Sequence, residues 1–217
     1  ELTERFFSLQ GLGLGQITFD TEVIQNSLNS FPDVGLTQLE LLPMINQWLR
    51  VQLEDRRFSA DGADLNNMTD DWYHPRGIDP NRADHLIQQH FAHYLERLLG
   101  DSSKTAMVGS WFKQLVQSNA FEMINNLYYL HTRALRLDFN LECDIFACTD
   151  CGRLSYQLPR DLCPECCGQV QKAETSYIEA RTGYYRSQIR RARTRTTIEP
   201  FGLQADEHTA QLTGRPT

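Results

Sequence analysis

The sequence predicts a mainly α protein, with a helical domain over residues 1–140 and a small cysteine-bearing β-hairpin over residues 141–180. Apolar residues recur at helical spacing in several segments before residue 140. After about residue 141, short alternating runs replace that periodicity. All six cysteines also lie between positions 143 and 167. Clustered cysteines indicate a small, locally organised unit rather than thiols spread through a core.

Length and composition limit the class of protein. The chain has 217 residues, 41% hydrophobic and 23% charged, and a net charge of −7, as in ordinary globular domains. It contains no apolar run near the ~18–20 residues of a membrane span. The polar start, residues 1–5, lacks both a Met and a signal peptide. We therefore expect a cytoplasmic chain without a membrane partner.

The two ends of the chain suggest a piece of a longer protein. The start lacks a Met, and the end, residues 212–217, is polar. Cloning or processing would also explain these ends.

Two helices are expected in the first third of the chain. Asp20 is placed to cap a short helix that ends near Phe31. Thr37 and Glu40 have the spacing of a capping box. Pro43 follows closely, and we expect it to open the main helix rather than lie inside it. The apolar residues of that helix recur at helical spacing: Leu42, Ile45, Trp48, Leu49 and Leu53.

The clearest helical pattern follows a polar loop at residues 57–78. Asp79 is predicted to cap this helix, with Pro80 at its first position and Gly100 at its end. Its apolar stripe comprises Ala83, Leu86, Ile87, Phe91, Tyr94, Leu95, Leu98 and Leu99.

Two further helices are predicted near residues 103–117 and 120–134. The run at residues 135–139 then alternates between apolar and charged residues. Several short helices that end in such a run are consistent with a winged-helix-like module, which is an argument at the level of the fold alone.

Four cysteines form two CxxC pairs, Cys148/Cys151 and Cys163/Cys166. Each pair makes a tight turn in which backbone amides can face the thiolates, and Gly152 permits the positive φ that such a turn needs. Predicted strands at residues 144–147 and 154–158 would bring the two turns together. Four thiolates suit a tetrahedral structural Zn²⁺. The metal would supply folding free energy that so small a hairpin lacks.

Two alternatives remain open at this site. Cys167 stands where many such turns have Gly, and it competes with Cys166 as the fourth ligand. The thiols could instead be buried or redox-active without a metal. Cys143 is interpreted as a strand residue. Four thiolates leave no open position, so a catalytic zinc is not expected.

A basic segment follows the hairpin. Six arginines and no acidic residue lie in residues 181–195. Arginines beside aromatic residues can contact phosphates and stack on bases. The candidate nucleic-acid-binding residues are Tyr184, Tyr185, Arg186, Arg190, Arg191, Arg193 and Arg195. A solvated helix face or a simple connector is the alternative.

The last of the informative segments is Glu207-His208-Thr209-Ala210-Gln211-Leu212. It resembles a segment of large superfamily-2 DEAD/DEAH-box helicases, including translocases of the DISARM and Druantia anti-phage systems. In that family a zinc-binding segment, a Tyr-Tyr-Arg-like stretch and this run precede the second RecA-like lobe. Here Cys148 to Cys166, Tyr184 to Arg186 and Glu207 to Leu212 follow the same order.

The resemblance implies a region between two motor lobes, in which residues 181–217 form a basic connector and the start of an α/β RecA-like lobe. It further implies a structural Zn²⁺, nucleic acid (DNA favoured) as partner, and protein subunits of a defence complex. Residues 11–15 lack the spacing and lysine of a phosphate loop, and no Asp-Glu-Ala-His-like box is present. ATP and Mg²⁺ would therefore bind only in the full-length parent, and no catalytic residue is assigned here.

Two functions follow from these observations. The first is an accessory region, without activity of its own, of an ATP-dependent helicase or translocase, for which the resemblance implies a role in anti-phage defence. The second is a stand-alone, non-enzymatic helical zinc-ribbon module that binds nucleic acid or a partner protein.

Overall fold

Helices and short strands alternate through the computed structural model, which describes residues 10–11, 13–59, 75–139 and 144–180. These residues lie within one compact unit, Glu1–Gly183. Its helices are α1 (Thr21–Asn29), α2 (Gln38–Glu54), α3 (Ala83–Leu86), α4 (Gln89–Leu99), α5 (Ser102–Val116) and α6 (Thr175–Ala180). Its strands are β1 (Gln16–Phe19), β2 (Phe58–Ser59), β3 (Phe121–Ile124), β4 (Leu127–His131), β5 (Leu135–Asp138), β6 (Phe146–Cys148), β7 (Leu154–Ser155) and β8 (Val170–Lys172).

The fold is mixed α/β, and the prediction of a mainly α protein is wrong. The described strands form three small sheets, in the orders β1-β5, β2-β4-β3 and β7-β6-β8. Two of these sheets lie in the part of the chain that was predicted to be helical. The polar loop expected at residues 57–78 also contains β2, which pairs in parallel with β4.

The largest error concerns residues 120–134, which form a β-hairpin instead of a helix. β3 and β4 pair antiparallel, with Ile124 opposite Leu127. Asn125 and Asn126 connect them with φ values of 51° and 63°. Two consecutive left-handed residues make the turn that matches the twist of a hairpin, and Asn tolerates that conformation better than most residues.

The helix predicted from Asp79 to Gly100 is two helices. Gly100 ends α4 with φ 69°, as expected. Asp79, however, accepts a hydrogen bond from the Asn81 amide in a turn, and α3 begins only at Ala83. The backbone is extended between the two helices. There the carbonyl oxygen of Leu86 accepts a hydrogen bond from Trp48 Nε1 at 2.6 Å, in place of an amide of its own helix.

The other predicted helices are found, with one correction. Asp20 caps α1, the capping box of Thr37 and Glu40 begins α2, and α5 matches the helix expected at residues 103–117. Pro43 lies inside α2 rather than at its start. Near the beginning of a helix a proline removes one backbone hydrogen bond, and the extensive burial of the rest of α2 outweighs that loss.

α2 is the central element of the main core. Trp48 is fully buried and stacks on Phe112 of α5 with ring centroids 4.4 Å apart. Phe121 of the hairpin packs against the same ring. No helix in the described ranges is long and apolar enough to cross a membrane.

The last sheet carries the cysteines, and we call residues 144–174 the ribbon. β6 pairs antiparallel with β7, which confirms the predicted hairpin, and β8 adds a third strand that was not predicted. A small second core lies beneath this sheet, formed by Ile145, Ala147, Leu154 and Tyr156.

Candidate metal centre

The four predicted ligands converge at one end of the ribbon. The Sγ atoms of Cys148, Cys151, Cys163 and Cys166 all lie within 4.8 Å of one another. The Sγ atoms of Cys148 and Cys166 are 3.4 Å apart, and those of Cys151 and Cys163 are 3.7 Å apart. A tetrahedral zinc with Zn–S bonds of ~2.3 Å places its sulfurs about 3.8 Å apart. The arrangement therefore has the dimensions of a four-thiolate metal site.

Backbone amides support the thiolates. Burial opposes the ionisation of Cys148, but hydrogen bonds from the amides of Cys151 and Asp150 lower its pKa overall. Burial raises the pKa of Cys163 and of Cys166, and the amides of Cys166 and Gly168 respectively counteract it. Burial raises the pKa of Cys151 to about 11. A bound cation is the natural compensation for charge on such buried thiolates, because it replaces their protons.

The two cysteine turns have related backbones. Gly152 follows the first pair with φ 68°, and Cys167 follows the second with φ 58°. Cys167 thus takes the left-handed position that glycine usually fills. Its side chain packs against the main core, whereas the cluster contains Cys166. The geometry therefore favours Cys166 in the choice that the sequence left open.

Gly168 lies where the two cysteine turns pack closely. A Cβ atom added there would lie 2.2 Å from Asp150 Oδ2 and 3.2 Å from Cys166 Sγ. A larger residue would have to move the exposed Asp150 side chain and would press against Cys166 Sγ, so the two turns pack closely at this glycine.

Four cysteine sulfurs without a nitrogen or carboxylate ligand fit Zn²⁺, and they also fit iron. With all four positions occupied by protein sulfur, the centre suits a structural role and has no place for a substrate.

The ribbon is joined to α2 by a group of four charges, in which the two arginines are buried and the two glutamates are exposed. Arg153 follows the first cysteine turn, and Glu165 lies inside the second. Arg153 pairs with both Glu165 and Glu54 of α2, and Arg50 of α2 pairs with the same two carboxylates. Sequence analysis missed this group. Only the four-residue spacing of Arg50 and Glu54 on a helix hinted at it.

The predicted nucleic-acid-binding residues lie outside the described residues, as does Cys143. These are Tyr184, Tyr185, Arg186, Arg190, Arg191, Arg193 and Arg195. The run Glu207 to Leu212, which carries much of the family resemblance, is also outside them. Their assignment stays a prediction from sequence.

Comparison with known proteins gives a limited link. The chain is 33% identical over 96 residues to Druantia protein DruE of Escherichia coli (strain UMEA 4076-1). The match covers 42% of this chain and 5% of that protein. No family model matches the chain, and no solved structure matches it. The chain is thus connected to a Druantia protein over part of its length.

Proposed function

We propose that this chain is a zinc-containing accessory region of an ATP-dependent DNA (or RNA) helicase or translocase that acts in bacterial anti-phage defence. The observation that carries the proposal is the cluster of Cys148, Cys151, Cys163 and Cys166, which can hold a metal ion. The partial similarity to Druantia protein DruE supports the biological setting. The order of the cysteine pairs, the Tyr-Tyr-Arg stretch and the Glu207 to Leu212 run supports a position between motor lobes.

In this proposal the chain itself hydrolyses nothing. The metal is a structural Zn²⁺ that fixes the fold of the ribbon, and ATP with Mg²⁺ binds elsewhere in the cytoplasmic parent protein. The arginines after residue 180 contact nucleic acid, with DNA favoured. Other subunits of the defence complex are further partners. Because the chain matches only 5% of DruE, the motor activity belongs to sequence beyond this segment.

A second candidate is a stand-alone helical zinc-ribbon module that binds nucleic acid or a protein. It requires the same metal centre and no motor. The complete gene separates the two candidates. A phosphate-loop lysine upstream and a second RecA-like lobe downstream support the first, whereas an open reading frame that ends near Thr217 excludes it.

The metal assignment predicts about one zinc per purified chain. The double substitution Cys148→Ser/Cys163→Ser removes one ligand from each turn and should abolish binding. Elemental analysis of protein prepared with reductant gives the stoichiometry. It also distinguishes zinc from iron.

Cys167→Ser is the matched control, because it changes a neighbouring thiol that is outside the cluster. Zinc content should stay near that of the unsubstituted chain. A folded, metal-free wild-type protein would refute the site. Loss of zinc in the control would instead make Cys167 a ligand.

The arginine segment predicts salt-dependent nucleic-acid binding. Replacing Arg190, Arg191 and Arg193 with Ala should weaken binding and reduce the slope of log affinity against log salt, because fewer counterions are released. Titration of labelled single-stranded and duplex DNA at several salt concentrations measures both quantities. Unchanged affinity and an unchanged slope would show that these arginines do not contact nucleic acid and that the segment is a connector.

A further inference from the structure

Arg50 of α2 is unusual because its charged side chain is buried. It is 8% exposed, and its Nε and Nη2 atoms make no hydrogen bond within the described part of the chain. Burying a guanidinium is unfavourable unless opposite charges lie nearby. Burial lowers the pKa of Arg50, and the negative charges of Glu54, Cys163 and Cys151 act in the opposite direction. In the structure, Arg50 reaches the second cysteine turn through Glu165, which lies between Cys163 and Cys166.

Arg50 belongs to the group of four charges that joins α2 to the ribbon, which we call the ion cluster: Arg50, Glu54, Arg153 and Glu165. Arg50 Nη1 lies 3.3 Å from Glu54 Oε1, and Arg50 Nη2 lies 3.7 Å from Glu165 Oε2. Arg153 Nη2 lies 2.8 Å from Glu54 Oε1, and its Nη1 pairs with Glu165. Each arginine thus contacts both carboxylates.

The ion cluster is next to the metal centre in the chain and in space. Glu165 lies between Cys163 and Cys166, and Arg153 is two residues after Cys151. A four-thiolate zinc centre is negatively charged, because four thiolates outweigh the charge of Zn²⁺. A carboxylate inside one of its turns would repel those thiolates unless a cation neutralised it.

We propose that Arg50, with Arg153, is a positioning residue of the metal centre, and that its charge neutralises Glu54 and Glu165 so that the four thiolates can bind the metal tightly. This inference rests on the metal site of the proposed function. It adds that α2, a helix of the main core, sets the metal affinity of the ribbon. Groups that hydrogen-bond to metal ligands typically change affinity about 10- to 100-fold when they are replaced, and we take the same range for a charge that acts on the thiolates through Glu165.

Zinc affinity, measured by competition with a chelator on the full chain under reducing conditions, tests the inference. Arg50→Met should lower the affinity about 10- to 100-fold. Arg50→Met/Glu165→Gln removes both partners of one ion pair and should recover most of that loss. Co²⁺ absorption, which reports thiolate coordination, shows whether four-sulfur geometry is kept in each variant.

Arg57→Met is the matched control. Arg57 is also buried, at 6% exposure, and it contacts Asp55 and the carbonyl of Gly77, away from the ribbon. The substitution should reduce the stability of the fold but change zinc affinity less than about threefold, because Arg57 contacts neither the cysteines nor the ion cluster. Equal losses in Arg50→Met and Arg57→Met would overturn the inference, since the effect would then come from general destabilisation.

Glu165→Gln alone separates charge from packing, and it remains available if Arg50→Met does not fold. Its side chain is 36% exposed, so the substitution should be tolerated. Charge neutralisation predicts unchanged or tighter zinc binding. A tenfold weaker affinity would mean that the ion cluster acts only as a mechanical link, and would overturn the inference.

Two outcomes separate the metal site from the role of Arg50. Wild-type protein that binds neither Zn²⁺ nor Co²⁺ overturns the metal site itself. Tight binding by the wild type together with unchanged affinity in Arg50→Met overturns only the role of Arg50.

Discussion

Arg160 contacts two segments that are far from it in the sequence, residues 35–40 and the end of α4. It lies between the two cysteine pairs and donates hydrogen bonds to Glu40 Oε1 at 3.2 Å, to the Leu98 carbonyl at 2.6 Å and to the Gly35 carbonyl at 2.8 Å. Leu98 is near the end of α4, where a cation also meets the negative end of the helix dipole. The backbone of Arg160 is left-handed, with φ 55°. The side-chain contacts thus hold the residue in an unfavourable backbone conformation.

Two substitutions at Arg160 separate the contribution of its side-chain hydrogen bonds to stability from that of its strained backbone. Arg160→Ala should lower the free energy of unfolding by about 1–2 kcal/mol, because three hydrogen bonds are lost from a partly exposed site. Arg160→Gly loses the same contacts but relieves the left-handed backbone, so it should be less destabilising by ~0.5–1 kcal/mol. Urea unfolding of the zinc-loaded chain measures both.

Arg82→Ala serves as the comparison at the surface. Arg82 pairs with Asp84, and both side chains are more than half exposed. Exposed ion pairs contribute little, so the free energy of unfolding should change much less than it does in Arg160→Ala. Similar losses for Arg82→Ala and Arg160→Ala would contradict the role assigned to Arg160.

Helices were predicted correctly where local residues, such as caps and regularly spaced apolar side chains, determine them. α1 and α5 have side-chain caps and were found close to their expected bounds, whereas α2 begins after the capping box at Thr37 and not at Pro43 as expected. Residues 120–134 were misassigned because apolar residues near Phe121 and Tyr129 also fit a helical stripe. The decisive signal was Asn125-Asn126, which favours a hairpin turn.

The break between α3 and α4 could not be found from local sequence. Residues 83–99 have a continuous apolar stripe, which favours one helix. Trp48 reaches the Leu86 carbonyl from another helix, and the Gln88 side chain pairs with Asp55. Such contacts exist only after the chain has folded, so a local pattern does not contain them.

At the scale of the molecule, the ribbon is joined to the main core rather than attached as an independent module. Leu162 and Cys167 of the ribbon pack against the main core. The ion cluster and Arg160 add polar links to α2 and α4. The candidate metal centre therefore lies where the ribbon meets the main core, and loss of the metal should destabilise both.

Removal of zinc should destabilise the helical core as well as the ribbon. A ligand that binds only the folded state raises its stability, so chelation under reducing conditions should lower the Tm by at least about 5 °C. Far-ultraviolet circular dichroism follows the helices during heating. Elemental analysis confirms that the metal has been removed.

Cys148→Ser/Cys163→Ser provides the control for this experiment. It should melt like the chelated wild type, and the chelator should not lower its Tm further. An unchanged Tm after verified removal of zinc would show that the ribbon is energetically independent of the helices.

The sequence by itself determined the cluster of four cysteines, because two CxxC turns joined by a short hairpin bring their thiols together. It also determined the capped helices and the partial similarity to a Druantia protein. Only the tertiary structure decided the mixed α/β architecture, the preference for Cys166 over Cys167, and the burial of Arg50 and Arg153 beside the thiolates. The physical reason is distance along the chain: Arg50 and Glu165 are brought together by the packing of α2 on the ribbon, and no local pattern encodes that contact.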